Sequence, residues 1–230
     1  MRTRSTAVTA ALACLVLVGA AVVAGDSAAE ERSAAEVLDE ANERMRALTS
    51  VTIDGVTDVA GGGGYSIHVT TDLTGRCTSK VTWDTGAGLE QIRIGDSDYV
   101  RPNRALVEQS GQDVAGTQEQ RFWAKTPAAE AQREEGLIDC THDFTSFGTV
   151  TKGKPAEVDG EWAIVLKVTE ADDEGSFTFY VAAEGEPYIR KVVYEGPEYH
   201  STTEFSAFDE PLNVRPPAEA DVLDMSVLGR

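Results

Sequence analysis

Apolar positions recur at helical spacing in one short stretch of the chain and at two-residue spacing through most of the rest. Ser33-Ala34-Ala35-Glu36 has the form of a capping box, with Ser33 as N-cap and Glu36 at the third helical position. Val37, Leu38, Ala41, Met45 and Leu48 then follow on one face, and Asp39, Glu40, Glu43, Arg44 and Arg46 on the other. The pattern predicts a helix ending near residues 48–50. From Val51 the period becomes two. Val51 and Ile53 alternate with Thr52 and Asp54, and a run of four glycines, 61–64, connects to Tyr65, Ile67, Val69, Thr71 and Leu73. Cys77, Ser79, Val81 and Trp83 share a face of a third strand, Ile92 and Ile94 mark a fourth, and Tyr99-Val100 a fifth after the Gly95-Asp96-Ser97-Asp98 turn. These connections are too short for crossover helices, so the strands form an antiparallel meander.

The alternation stops at residues 103–148. A helical turn is expected over 104–109 and a polar surface loop over 110–120. Phe122-Trp123 is an aromatic anchor, and Thr126-Pro127 starts a helix reaching about Glu135. Another short helix is expected within 140–147. Strands resume with Trp162, Ile164, Leu166 and Val168. After a polar turn at 171–175 come Phe177, Phe179 and Val181. Glu184-Gly185-Glu186-Pro187 turns the chain into strands over 188–194 and 201–208. Pro216-Pro217 ends regular structure, and Val222-Leu223-Asp224-Met225 packs back on the domain. Helix, strands, helical insert, strands is an α+β order with no strand–helix–strand rhythm, which argues against a parallel sheet.

The first 25 residues read differently. Arg2 and Arg4 precede an uncharged apolar run from Ala7 to Gly25, the layout of a secretory signal. Val22-Val23-Ala24 suits cleavage after Ala24, and Ser27-Ala28-Ala29 offers a second site. A retained anchor is the competing reading, since about 20 apolar residues span a bilayer. Lipidation at Cys14 is a third, although Cys14 sits mid-run rather than at its end. The expected organisation is a signal peptide over 1–24 (to 29 with the second site), a flexible segment over 25–32 and a single domain over 33–230.

Export changes what the three cysteines imply. Cys14 leaves with the signal, and Cys77 and Cys140 then have only each other in an oxidising compartment, so they are expected to pair. The charge also sharpens. The 20 basic and 39 acidic residues give −19; loss of Arg2 and Arg4 leaves 18 basic residues and −21. So acidic a surface argues against a nucleic-acid partner, which needs a basic face for phosphate. With 41% hydrophobic residues the chain still has material for a core.

Catalytic and metal motifs find little support. Asp84-Thr85-Gly86-Ala87 matches the aspartic-protease tetrapeptide, but there is no second copy, and Ile94-Gly95 follows too soon for a dimeric version; a hairpin turn is the plainer reading. Asp172-Asp173-Glu174 lacks the spacing of a calcium loop and reads as a solvated turn. His68, His142 and His200 are scattered, with no third and fourth zinc ligand. His68 should point away from the face carrying Ile67 and Val69. Ser66, Ser79 and Ser146 have no evident His–Asp pair, and the glycines at 61–64 lack a phosphate loop's Lys-Ser/Thr. The reading is a non-enzyme with no cofactor and no metal.

Several segments in order resemble the LolA-like fold, in the LppX/LprG-type branch of actinobacterial exported lipoproteins. They are the capped helix of 33–48; 72–82 with Gly75-Arg76-Cys77-Thr78; Ile92-Arg93-Ile94-Gly95-Asp96 leading to Tyr99-Val100-Arg101; and Phe122-Trp123-Ala124-Lys125. The second half adds Val150-Thr151-Lys152-Gly153, the run 179–188 ending Glu184-Gly185-Glu186-Pro187-Tyr188, and Phe205-Ser206-Ala207-Phe208-Asp209-Glu210-Pro211. The resemblance spans about residues 33–225. It implies a half-barrel, a curved antiparallel sheet wrapped around helices with a hydrophobic cavity between. It also implies a carrier of acylated lipids or lipoglycans, or a sensor that contacts envelope proteins. The expected ligand face is Ile67, Val69, Val81, Ile92, Ile94, Ile164, Leu166, Phe177 and Phe179. The alternative is that these side chains pack against the helices and leave no cavity. The protein is expected to be a monomer, secreted or on the extracytoplasmic face of the membrane. Its partner is expected to be a lipid or other hydrophobic small molecule, or an envelope protein.

Overall fold

Ser33 caps the first helix as its sequence requires. Its Oγ accepts from the Glu36 N–H (3.2 Å), and its own N–H donates to the Glu36 carboxylate (2.7 Å), opening α1 (Ala34–Arg46). Val37, Leu38, Ala41 and Met45 of α1 are almost wholly buried. The computed structural model describes residues 32–111, 121–130, 136–146, 148–171 and 174–228.

The strands follow as β1 (Val51–Val59), β2 (Gly64–Thr71), β3 (Cys77–Trp83), β4 (Gly88–Ile94) and β5 (Ser97–Pro102). The short helix α2 (Arg104–Gln109) and β6 (Trp123–Pro127) come next. Then come β7 (Thr149–Lys152), β8 (Ala156–Val158), β9 (Glu161–Thr169), β10 (Ser176–Ala182), β11 (Ile189–Glu195) and β12 (Tyr199–Ser206). The chain closes with β13 (Val222–Asp224) and the single turn α3 (Met225–Leu228). Twelve strands lie in the order β13-β6-β5-β4-β3-β2-β1-β12-β11-β10-β9-β7, and β8 pairs with β9. The sheet is open, and every pairing is antiparallel except β13 with β6.

The two meanders read from sequence are therefore one sheet. β1 pairs with β2 on one side and with β12 on the other, with Ile53 opposite both Val69 and Phe205. The inner face carries Val51, Ile53, Val69, Cys77, Leu166, Val168, Phe179, Val181 and Phe205, and α1 packs into it to make the core. Asp209 anchors the helix to the sheet: it accepts from the Thr49 N–H (2.7 Å) and pairs with Arg44 (3.1 Å), and these bonds hold its carboxyl below the usual carboxylate range.

The expected disulfide is present. Cys77 on β3 is bonded to Cys140, with Cα atoms 5.5 Å apart. Of the insert's expected helices, the turn over 104–109 is present as α2, whereas the helix starting at Thr126-Pro127 and the one within 140–147 are not seen among the described residues. Residues 123–127 form strand β6, Ala128–Glu130 is one 3-10 turn, and 131–135 lie outside the described residues. Tyr99 and Val100 of β5 pair with Lys125 and Ala124, so Pro127 ends a strand instead of starting a helix. Residues 141–146 have no regular structure, and Cys140 adopts a left-handed backbone (φ 62°) that no α-helix accommodates. Asp84-Thr85-Gly86-Ala87 is the hairpin turn between β3 and β4, closed by Gly86 N–H to Trp83 O (2.8 Å). Asp172 and Asp173 lie outside the described residues.

Two stability outcomes follow. Leu166→Ala, at a fully buried position, should cost about 3 kcal/mol, whereas Ile94→Ala should cost under about 1.5 kcal/mol, both read by urea denaturation. The Cys77→Ser, Cys140→Ser double variant should lose roughly 4 kcal/mol, the entropy of closing a loop across the 63-residue separation. A loss under about 1 kcal/mol would show that polar contacts alone hold this segment.

Candidate functional site

The inner face of the sheet is the candidate site, and a strap of chain, residues 136–146, crosses it. Gln91 and Arg93 of β4 point inward, opposite Ser79 and Cys77 of β3. Gln91 is nearly fully buried, yet each of its polar atoms has a partner. Its Nε2 donates to Asp98 Oδ1 (2.9 Å) and to the Ile138 carbonyl (3.0 Å), and its Oε1 accepts from the Ile138 N–H (2.9 Å). One side chain thus mimics a strand edge for the strap. Arg93 grips Asp98 twice (2.8 and 2.5 Å) and lies 3.6 Å from Asp139. Thr71 donates its hydroxyl to the Cys140 carbonyl, and the disulfide completes the attachment. Buried polar groups satisfied this fully specify one placement of the strap.

Beside the strap lie two open clefts on the same face. One, of about 290 Å³, is lined by Tyr65, Ile67, Val81, Trp83, Gly136, Leu137 and Ile138. The other, of about 170 Å³, lies between Asn42 of α1, the strap residues His142 to Thr145, and an aromatic wall of Phe177, Phe179 and Phe205. Phe144 and Phe205 meet edge to face at 5.7 Å, and the His142 ring lies 4.6 Å from Phe144.

The nine residues expected to form a ligand face separate into three groups. Ile67 and Val81 line the first cleft, and Phe177 and Phe179 the second. Val69 and Leu166 are sealed in the core, with Ile164 packed against it. Ile92 and Ile94 are on the opposite face of the sheet, a correction to the sequence reading. Thr82 pairs with Gly88 across the β3–β4 turn, so the inward parity passes from Val81 to Leu89, Gln91 and Arg93. The isoleucine alternation pointed to the wrong face because β4 turns polar side chains inward to hold the strap. Phe144, Phe205, Val192 and Thr203 also line the second cleft and were missed. The strap residues carry no periodicity, and only the pairing of β12 with β1 brings Phe205 to this face.

His68 points to the outer face, as expected. Its Nδ1 sits 2.6 Å from Asp54 Oδ1 on the neighbouring strand, and Ser66 lines the same shallow outer depression. In the sequence Ser66 has no evident His–Asp pair, and in the structure His68 and Asp54 form one that lines the same depression as Ser66. Ser66 makes no hydrogen bond to His68. The surrounding strands commit their backbone N–H groups to ladder pairing, so no oxyanion hole is formed there. Among the described residues no group of three His, Cys, Asp or Glu side chains could hold a metal ion, and no helix is long and apolar enough to cross a membrane.

No protein-family model and no curated protein matches the chain. Solved structures do. LprF from Mycobacterium bovis superposes with a TM-score of 0.55 at 12% identity, over 80% of this chain and 97% of that one. The lipoprotein LppX of Mycobacterium tuberculosis gives 0.51 at 16% identity, over 78% and 98%. A LolA superfamily protein from Nitrosomonas europaea matches more loosely, with a TM-score of 0.28 at 13% identity over 82% and 96%. The chain has the half-barrel fold of these mycobacterial proteins, as the sequence resemblance implied.

The second cleft should be sensitive to acid. The apolar rings around His142 hold its pKa below the usual 6.5, opposed by Asp143, while the residue keeps an edge open to solvent that limits the effect. A histidine with a lowered folded-state pKa favours the native state when neutral. Its protonation therefore removes stability as pH falls through and below about 6.5. His142→Leu should flatten the decline in melting temperature between about pH 7 and pH 5. An unchanged slope would show that His142 titrates as freely folded as unfolded.

Proposed function

We propose that this chain is an exported, non-catalytic binding protein that holds a hydrophobic ligand, an acyl chain or a molecule of similar character, against the inner face of its sheet. The observation that carries the reading is the second cleft, where Phe144, Phe177, Phe179 and Phe205 converge in front of α1. Burial of an acyl chain there is favourable at roughly 25 cal/mol per Å² of apolar surface. The fold likeness to the lipoprotein LppX supports the reading, as does the lipid-carrier role that the sequence resemblance implies. A leader over 1–24, a domain over 33–230 and a location outside the cytoplasm belong to the same proposal, and the Cys77–Cys140 bond is consistent with export.

Both clefts are smaller than the roughly 300–1,000 Å³ of ordinary small-molecule sites. A long chain would therefore require α1 or the strap to give way. The same fact favours a second reading, an envelope interaction or sensor protein whose inner face is simply core: Val69, Leu166 and Ile164 are already filled in by packing.

Native mass spectrometry of protein purified from its own host separates the two. The carrier reading expects a co-purifying acyl-containing ligand, or uptake of a fluorescent fatty-acid probe, reduced about tenfold by Phe177→Arg at the half-buried cleft wall. No ligand and no probe uptake, together with a stable protein partner in a pull-down, would establish the filled-core reading.

A further inference from the structure

A further pocket, of about 360 Å³, lies away from the clefts, at the end of the sheet where β9, β10 and β11 meet. Gly160, Glu161, Trp162, Ala182, Glu184, Gly185 and Arg190 line it. Trp162 is 57% exposed, an unusual state for the largest apolar side chain in a protein with only three tryptophans. Its backbone is well fixed. The Trp162 carbonyl accepts from Ala183 N–H (3.0 Å), and Asp159 and Gly160, at φ 53° and 81°, make the tight turn that leads into β9. The indole is thus offered to solvent from a rigid strand end, between two turns whose glycines leave room for a flat ligand.

The polar groups around the indole are complementary in kind. Arg190 pairs with Glu161 through Nη2, while its buried Nε–H has no hydrogen-bond partner among the described residues. Glu184, on the adjoining turn, forms no hydrogen bond or ion pair with any described residue. A carboxylate only accepts hydrogen bonds and a guanidinium only donates them. A ligand serving both must carry groups that do either, and hydroxyls do. A ligand that covers an indole must also present a flat apolar face. A quaternary ammonium would stack on the indole and suit Glu184, but it would add a positive charge beside Arg190 and offer it no acceptor.

We propose that this pocket binds a pyranose sugar, its C–H face on Trp162 and its hydroxyls shared between Glu184 and the Arg190–Glu161 pair. The pocket volume, at the low end for small-molecule sites, fits one ring of a glycan. The site is distinct in place and chemistry from the apolar clefts, so it stands whether or not they hold lipid.

The test titrates the full folded protein with methyl β-glucopyranoside, methyl α-mannopyranoside, the tetrasaccharide of each, and choline chloride. The indole N–H resonances are followed by NMR and affinities measured by calorimetry. The expected result is saturable binding of at least one sugar, with the Trp162 indole signal shifting and those of Trp83 and Trp123 unmoved. Trp162→Ala should weaken that binding by about tenfold or more, and Glu184→Gln by a few-fold, with melting temperatures unchanged because both side chains are exposed. Three results would overturn the assignment: no saturable response to any sugar, equal affinity in Trp162→Ala, or a response to choline alone.

Discussion

The pairing of β1 with β12 is the constraint on which the architecture depends. It runs from Thr52 opposite Ser206 to Val59 opposite Tyr199, and it joins strands of two meanders that lie 140 to 154 residues apart in the chain. Without it each half would leave an apolar face and an unpaired edge in water. With it, Ile53 lies between Val69 and Phe205 in one continuous inner surface wide enough to take α1. Loop closure over that separation is entropically costly, and the burial of α1 against both halves offsets it. The aromatic cleft is a product of the same seam, because its wall combines Phe177 and Phe179 of β10 with Phe205 of β12 and Phe144 of the strap.

The strap is the second organising element, and it is held by chemistry unlike the rest of the inner face. Toward β9 and β10 that face is packed by aliphatic and aromatic side chains. Toward β4 and β5 it is a satisfied polar cluster of Gln91, Arg93 and Asp98, reinforced by a covalent bond. Directional bonds fix where the strap lies, whereas apolar contacts tolerate small shifts. Any widening of the clefts is therefore easier on the α1 and Phe144 side than at Ile138. The inner face is thus divided between a pinned side and a yielding one.

Much of this was legible from the residue pattern. The capped helix is where Ser33 and Glu36 place it, and the strands of both meanders match their two-residue alternation. The disulfide joins the two cysteines that lie outside the signal-like segment, as expected. The insert was read correctly at 104–109 and misread beyond it. Thr126-Pro127 has the local form of a helix start, but pairing with β5 outweighs that weak local preference. The strap has no pattern, because its order comes from side chains distant in sequence, such as Gln91 reaching Ile138.

The sequence by itself determined the local conformations, the α+β order and the chemistry of the disulfide, since these rest on spacing, capping and residue type. Only the tertiary structure decided which face each strand turns inward. Ile92 and Ile94 look like core residues and lie outside, while Arg93 and Gln91 look like surface residues and lie inside. Register parity is set by the turn before the strand and propagates across the whole sheet, so one residue's shift exchanges every side chain between the two faces. Burial then follows that geometry, and a polar side chain is retained in the interior wherever the fold gives it partners.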